Sequence, residues 1–256
     1  MIRFPPVTSG ADLKISATTF TTFSQCPGAA EARLQGVYGP SSRASFSGGL
    51  AHALFARHLN SGPIEDVGQA AREAIGSGLN PQLADVRLKP SELNEVIREV
   101  GALYERFRRL QLDDFEDAEV DVEASPAEGV QLVGRIDAVF RQPGQPPLLR
   151  DWKSGNLGEP EIQLGFYGLV WALARDEVPA EMEAVSVATG ERRRTVPTEA
   201  DLEKVAGRVA TMVSAVRQAW ATAASLDRVG GPWCRYCPLL SDCREGAAAV
   251  KLLSAE

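Results

Sequence analysis

No stretch of the sequence is apolar for long enough to cross a bilayer. The longest uncharged run of its second half, Ile162 to Ala174, falls well short of the roughly 18 to 20 residues a spanning helix needs. The chain start also lacks the basic-then-apolar pattern of a secretory signal, so a cytoplasmic protein without membrane contact is expected. Positive charge is in deficit. The 27 Lys and Arg stand against 34 Asp and Glu, a net charge of −7, which excludes a basic field drawing nucleic acid to the whole surface. Any phosphate affinity has to come from local patches. Cysteine is scarce, four residues, too few for a disulfide scaffold. In a reducing compartment such cysteines are free, catalytic or metal-bound. No G-x4-G-K-[ST] segment is present, so ATP-driven work would have to come from a partner.

What remains is an ordinary globular composition, 44% hydrophobic and 24% charged over 256 residues. Helical spacing runs through 18–32 behind Ser16, with Cys26-Pro27 interrupting it, and again through Phe46–Asn60, closed by Gly62-Pro63. Segments near 64–76 and 90–111 continue the helical pattern. After Asp113-Asp114 the pattern alternates: 119–123, 130–140 and 148–152 read as three strands of an antiparallel meander. A helix over 160–175, a strand near 184–188, a polar piece at 192–196 and a helix from Thr198 to about 224 follow. The order strand, helix, strand implies one right-handed parallel crossover. The expected organisation is one unit over 1–256: a mainly helical part (1–112), a sheet core (113–197), and a last helix with a cysteine-rich knuckle (198–256).

Chemistry concentrates at Gly134-Arg-Ile-Asp137 and, across a Pro/Gly-rich turn, Asp151-Trp-Lys153-Ser-Gly155. In an extended chain Asp151 and Lys153 share a face while Trp152 points away. Pairing the two strands can bring Asp137 beside Asp151. Converging carboxylates repel, and a hard divalent cation with oxygen ligands relieves them. A lysine at the metal's edge can orient or help deprotonate an attacking water. A lone Asp-x-Lys on a hairpin is most often a solvated polar face. Here it has company: Gln163 and Tyr167 lie four apart on one helix face.

Together, Gly134-x2-Asp137, Asp151-x-Lys153 and Gln163-x3-Tyr167 resemble motifs of the PD-(D/E)XK nuclease superfamily, in its RecB-like exonuclease branch. Gly48-Gly-Leu-Ala-His52 matches that branch's upstream Gly-x3-His helix. An acidic residue on the preceding strand would be Glu119, with Glu123 as the alternative. No proline precedes Asp137, as is usual in the branch. The resemblance implies a restriction-endonuclease-like α/β core, a mixed central sheet flanked by helices, with a helical N-terminal insertion. It implies Mg2+ or Mn2+ held by His52, Asp137 and Asp151, with Glu119 and the main-chain carbonyl of Trp152 as further ligands. Lys153 would position the nucleophilic water, and Gln163 and Tyr167 would contact the nucleic-acid backbone or hold the site together.

Cys234-x2-Cys237-x5-Cys243 supplies three thiolates, one too few for a tetrahedral site, and Cys26 is the only cysteine left to complete it. Zinc and an iron–sulfur cluster both accept four thiolates. The Cys-Pro pairs at 26–27 and 237–238 lean towards iron. So does the split arrangement, which resembles the 4Fe-4S nucleases of the AddB type and the CRISPR-associated adaptation exonucleases. The expected protein is a metal-dependent DNA exonuclease acting on single-stranded ends, with a structural 4Fe-4S cluster and a helicase or integrase-type partner. The alternatives are a non-catalytic DNA-end-binding subunit and a zinc-stapled nuclease of the same fold. Candidate phosphate contacts are Arg106, Arg108 and Arg109, and Arg192, Arg193 and Arg194. Each group could equally be a solvated face.

Overall fold

The structure, a computed structural model, describes residues 2–254. Strand β1 (Leu13–Ser16) alternates buried and open side chains and runs directly into helix α1 (Ala17–Gln25). Ser16 caps that helix, its hydroxyl accepting from the Thr19 amide at 3.2 Å. Cys26 is extended, and Pro27 restarts the chain as the first residue of α2 (Pro27–Leu34). Helix α3 (Arg43–Ser61) opens on a reciprocal Ser42–Ser45 capping box and closes at Gly62, whose φ of +86° suits glycine. Then come α4 (Val67–Ala74), a π-helical turn at Ile75–Leu79, α5 (Asn80–Val86) and α6 (Pro90–Phe107).

Strands β2 (Phe115–Ala127), β3 (Val130–Phe140) and β4 (Leu148–Lys153) form the expected antiparallel meander. Helix α7 (Glu161–Arg175) then crosses over to β5 (Glu181–Ser186), which lies parallel to β4. The polar piece after β5 pairs with it as a sixth strand, β6 (Arg192–Thr195). Helix α8 (Glu199–Ala221) starts on the Thr198 cap. Two short 3-10 turns, Pro232–Tyr236 and Leu240–Asp242, and α9 (Arg244–Leu253) finish the described chain.

The sheet is mixed, ordered β1-β3-β4-β5-β6 with β2 also on β3. β2 accompanies β3 from Phe140 back to Val130, whereas β1 pairs only with Val130–Val133 and β4 only with Ala138–Phe140. Thus β1 and β4 share one edge of β3 and run towards each other along it. Both carboxyl ends stop at the gap left by Gly134–Asp137. A crevice outside the carboxyl ends of strands is where open α/β sheets place ligands.

Helices cover both faces. On one, Phe20, Phe166, Leu169, Val209 and Val213 from α1, α7 and α8 pack over Leu132 and Ile136. On the other, Phe46, Leu50, Phe55, Val100 and Phe107 from α3 and α6 pack over Phe140 and Trp152. Phe107 stacks on Phe55 at 4.2 Å and meets Trp152 edge-on at 5.1 Å. Trp152 is thereby anchored in the core, which turns its neighbours Asp151 and Lys153 to the opposite face, towards Gln163.

Candidate active site

Register alone aligns three carboxylates across the sheet. The β3–β4 ladder ends at Ala138–Arg150, so Asp137 lies one step on, opposite Asp151. On the other edge, Ala118–Ala138 and Val120–Ile136 bracket Glu119 opposite Asp137. Glu119 holds a φ of +54°, a left-handed conformation that a non-glycine strand residue adopts at a penalty of about 1–3 kcal/mol. Helix α3 brings His52 over the row. Its Nδ1 is 3.2 Å from Asp137 Oδ1. Ligand atoms of His52, Glu119 and Asp137 all lie within 4.8 Å of one another and could hold a metal ion.

The other oxygen of Asp137, Oδ2, accepts from the Trp152 backbone N–H at 2.7 Å, tying β3 to the Asp-x-Lys strand. Gln163, on the first turn of α7, gathers the remaining groups. Its Oε1 accepts from Lys153 Nζ at 2.7 Å, and its Nε2 donates to Asp151 Oδ1 at 3.0 Å and to Tyr167 Oη at 2.9 Å. Gly134 makes room for this arrangement. A Cβ there would stand 3.2 Å from the Tyr167 ring and 3.3 Å from Val122.

Electrostatically the site has more negative charge than it can easily hold. Burial, with Asp137 adding to it, pushes the Asp151 carboxyl up to about 6. Burial and Asp137 also raise the Glu119 carboxyl. Burial alone would lower the His52 pKa, but the charge and hydrogen bond of Asp137 outweigh it and lift the imidazole to about 9. The buried Asp151 Oδ2 receives no aligned hydrogen bond. Burial and the crowding of carboxylates leave these groups short of positive charge, which a divalent cation could supply. Carboxylate oxygens and one imidazole nitrogen suit Mg2+ or Mn2+.

His58 stands apart, its Nδ1 2.9 Å from the Tyr104 hydroxyl in the α3–α6 core. The arginine candidates divide. Arg192 and Arg194 turn onto Glu183 at 3.2 and 2.8 Å, while Arg193 pairs with Glu191 at 2.9 Å. Arg106 is hydrogen-bonded to the Ala188 carbonyl, Arg108 meets Glu105 at 3.3 Å, and Arg109 is exposed. Glu183, fully buried, was missed by the sequence reading. Its signal is a single charge inside the apolar strand Met-Glu-Ala-Val, where burial without a partner would be prohibitive.

The four cysteines line a single cavity between α2 and the C-terminal knuckle, together with Val229, Leu239 and Leu240. Each sulfur is approached by a backbone N–H. Those of Val229, Gly231 and Gly246 donate to Cys26, Cys234 and Cys243, each at 3.3 Å, and that of Leu239 donates to Cys237.

The chain matches the model of the PD-(D/E)XK nuclease superfamily over residues 14–244 and belongs to that superfamily. The fold is similar to the solved structure of a "Putative exonuclease" from Eubacterium rectale, with a TM-score of 0.55 and 13% identity over 90% of this chain and 88% of that one. A second solved structure, SSO0001, aligns over 93% and 88% at 13% identity, with a TM-score of 0.40. No curated protein matches the chain. Superfamily members typically use divalent metal ions, consistent with the His52, Glu119 and Asp137 group. Among the described residues no helix is long and apolar enough to cross a membrane.

Proposed function

We propose that the protein is a metal-dependent deoxyribonuclease that hydrolyses phosphodiester bonds from single-stranded ends. The observation that carries this reading is the row Glu119–Asp137–Asp151 across three strands, closed at one end by His52 and at the other by Lys153. His52, Glu119, Asp137 and Asp151 would hold Mg2+ or Mn2+, with the Trp152 carbonyl within the same strand as a further ligand. Bound there, the cation supplies Lewis-acid polarisation of the phosphate and a more acidic water. Lys153 would position the attacking water through its ammonium, which Gln163 steers by accepting a hydrogen bond from it. Gln163 also fixes Asp151 and Tyr167, so one side chain sets the mutual position of ligand, lysine and wall. A DNA-end-binding scaffold without catalysis would need neither Lys153 nor its alignment.

The test is a digestion of labelled single- and double-stranded DNA, with free or blocked ends, in Mg2+ or Mn2+, beside Lys153→Ala. Cutting by wild type alone, from free single-stranded ends, is the expected result. Intact substrates with both proteins would return the chain to the binding-subunit reading.

For the cysteines we propose a structural 4Fe-4S cluster that fastens α2 to the knuckle. Backbone N–H groups aimed at the sulfurs are the kind of outer hydrogen bonds that support a ligated cluster. Zinc at about 2.3 Å from each sulfur would draw the four to within about 3.8 Å of one another. The four cysteines line one cavity, where a shared cluster would fasten α2 to the knuckle. A visible absorption lost on adding a reductant and chelator tests iron against zinc.

A further inference from the structure

Helices α3 and α6 cover the sheet over β4 and β5, but the same face of β1, β2 and the first half of β3 carries polar side chains under an open groove of about 740 Å3. Register makes its floor a continuous surface. Ser16 lies beside Val133, which lies beside Glu123, and Arg135 lies beside Asp121. On β3, Val133 and Arg135 lie two residues apart on this face, and Arg135 reaches Glu119, so the floor leads into the metal-binding row. Tyr167, already held by Gln163, forms the wall where groove and site meet.

We propose that this groove carries the nucleic-acid strand on one flank of the scissile phosphate, with Lys14 and Arg135 as its phosphate contacts. The inference rests on the nuclease reading and adds the path of the substrate to it. Lys14 is exposed, and among the described residues its ammonium makes no ion pair or hydrogen bond, which leaves it open to a phosphate. Asp121 pairs with Arg135 at 2.9 Å, and Glu123 accepts from the Gln131 amide at 2.6 Å. Lys14 is therefore the cation of the floor without a carboxylate partner, and Arg135 can exchange Asp121 for a phosphate. Lys14 lies opposite Gln131, six residues from Asp137, which is about 20 Å along the strand. It can reach a phosphate several nucleotides from the reacting one but not that one itself. Arg135 stands between them, 61% exposed at its side chain, with Nη1 3.9 Å from Glu119.

The test measures binding, which needs no turnover. The full-length protein is titrated into labelled oligothymidylate in Ca2+ across a salt series, beside Lys14→Ala, Arg135→Ala and the double variant. Lys204→Ala on α8 is the control, removing the same charge from an exposed pair with Asp201. Each groove variant is expected to weaken binding and to flatten the slope of log affinity against log salt by about 0.7, the double variant by about 1.4. Lys14→Arg should restore the wild-type slope. Slopes of Lys14→Ala and Arg135→Ala equal to that of Lys204→Ala would overturn the proposal, as would a wild type that binds no oligomer. A wild type that binds with a Lys14-dependent slope but cuts nothing would sink the nuclease reading and leave the groove standing.

Discussion

Lys153 Nζ lies 2.9 Å from Asp151 Oδ2, yet that oxygen receives no aligned hydrogen bond. The ammonium instead spends a directed proton on Gln163 Oε1. The pair is thus a charge contact with one carboxylate lone pair left over, the arrangement expected where a cation and a water are to be accepted.

Lys153→Ala should therefore abolish hydrolysis while sparing metal binding. A positioned proton donor or acceptor contributes about 100- to 10,000-fold, so the rate is expected to fall by that range. Calorimetric titration with Mn2+ should show affinity retained, because none of the proposed ligand atoms has been removed. A variant that loses metal and rate together would make Lys153 a support of the ligand cage.

The pH response follows from two shifts of opposite chemistry. Asp151 is raised to about 6 and His52 to about 9, both above their unfolded values. Each binds protons more tightly in the folded, metal-free protein than in the unfolded chain. For His52 the stabilisation is complete below about 6.5 and is lost as pH rises towards 9; for Asp151 it is complete below about 3.8 and lost by about 6. Metal-free stability should accordingly decline as pH rises from 6 to 9. Ligation needs both groups deprotonated, so affinity for Mn2+ should climb over the same window. The thermal shift produced by a fixed Mn2+ concentration should grow from pH 6 to 9. A shift that is flat with pH would exclude His52 and Asp151 as ligands.

Much of this site was legible because it depends on local register. Asp137 and Asp151 flank a turn, Asp151 and Lys153 obey the two-residue period of a strand, and Gln163 and Tyr167 obey the helical one. Glu119 could be named as an acid of the preceding strand, but its backbone at φ +54° is a tertiary constraint that no pattern announces. Strand β1 escaped notice because four alternating residues, Leu13 to Ser16, are too short a signal. Helical structure at 75–86 was hidden by Gly76, Gly78 and Pro81, residues that ordinarily mark loops. The arginine run at 192–194 looked like one patch, whereas strand alternation sends its first and third members inward to a carboxylate on β5.

That carboxylate offers a separate test. Glu183 binds Arg150 at 2.6 Å, and Arg150 is itself only 6% exposed, wedged between the Phe140 and Trp152 rings. Burial raises and Arg150 lowers the Glu183 carboxyl, with the arginine charges prevailing. Glu183→Gln leaves a buried guanidinium without its counter-charge, which should destabilise the fold by about 3–5 kcal/mol. Arg192→Ala and Arg194→Ala should lower the melting temperature by less and leave the salt dependence of DNA binding intact. Arg193, which alternation points the other way, is the member of the run whose loss should change DNA binding.

Cys26 and Cys234 are 208 positions apart, so a group bound to both closes almost the whole chain into a loop. Chain-entropy reasoning gives such a closure a stabilisation of about 5 kcal/mol. Cys26→Ser should remove it while leaving the nuclease sheet's own contacts in place. The melting temperature should fall, visible absorption should weaken or vanish, and limited proteolysis should release the segment from Ala224 onwards first. Cys237→Ser, which keeps one end of each element ligated, should lose less stability than Cys26→Ser. Equal and negligible effects of both substitutions would mean that the four thiols bind nothing in common.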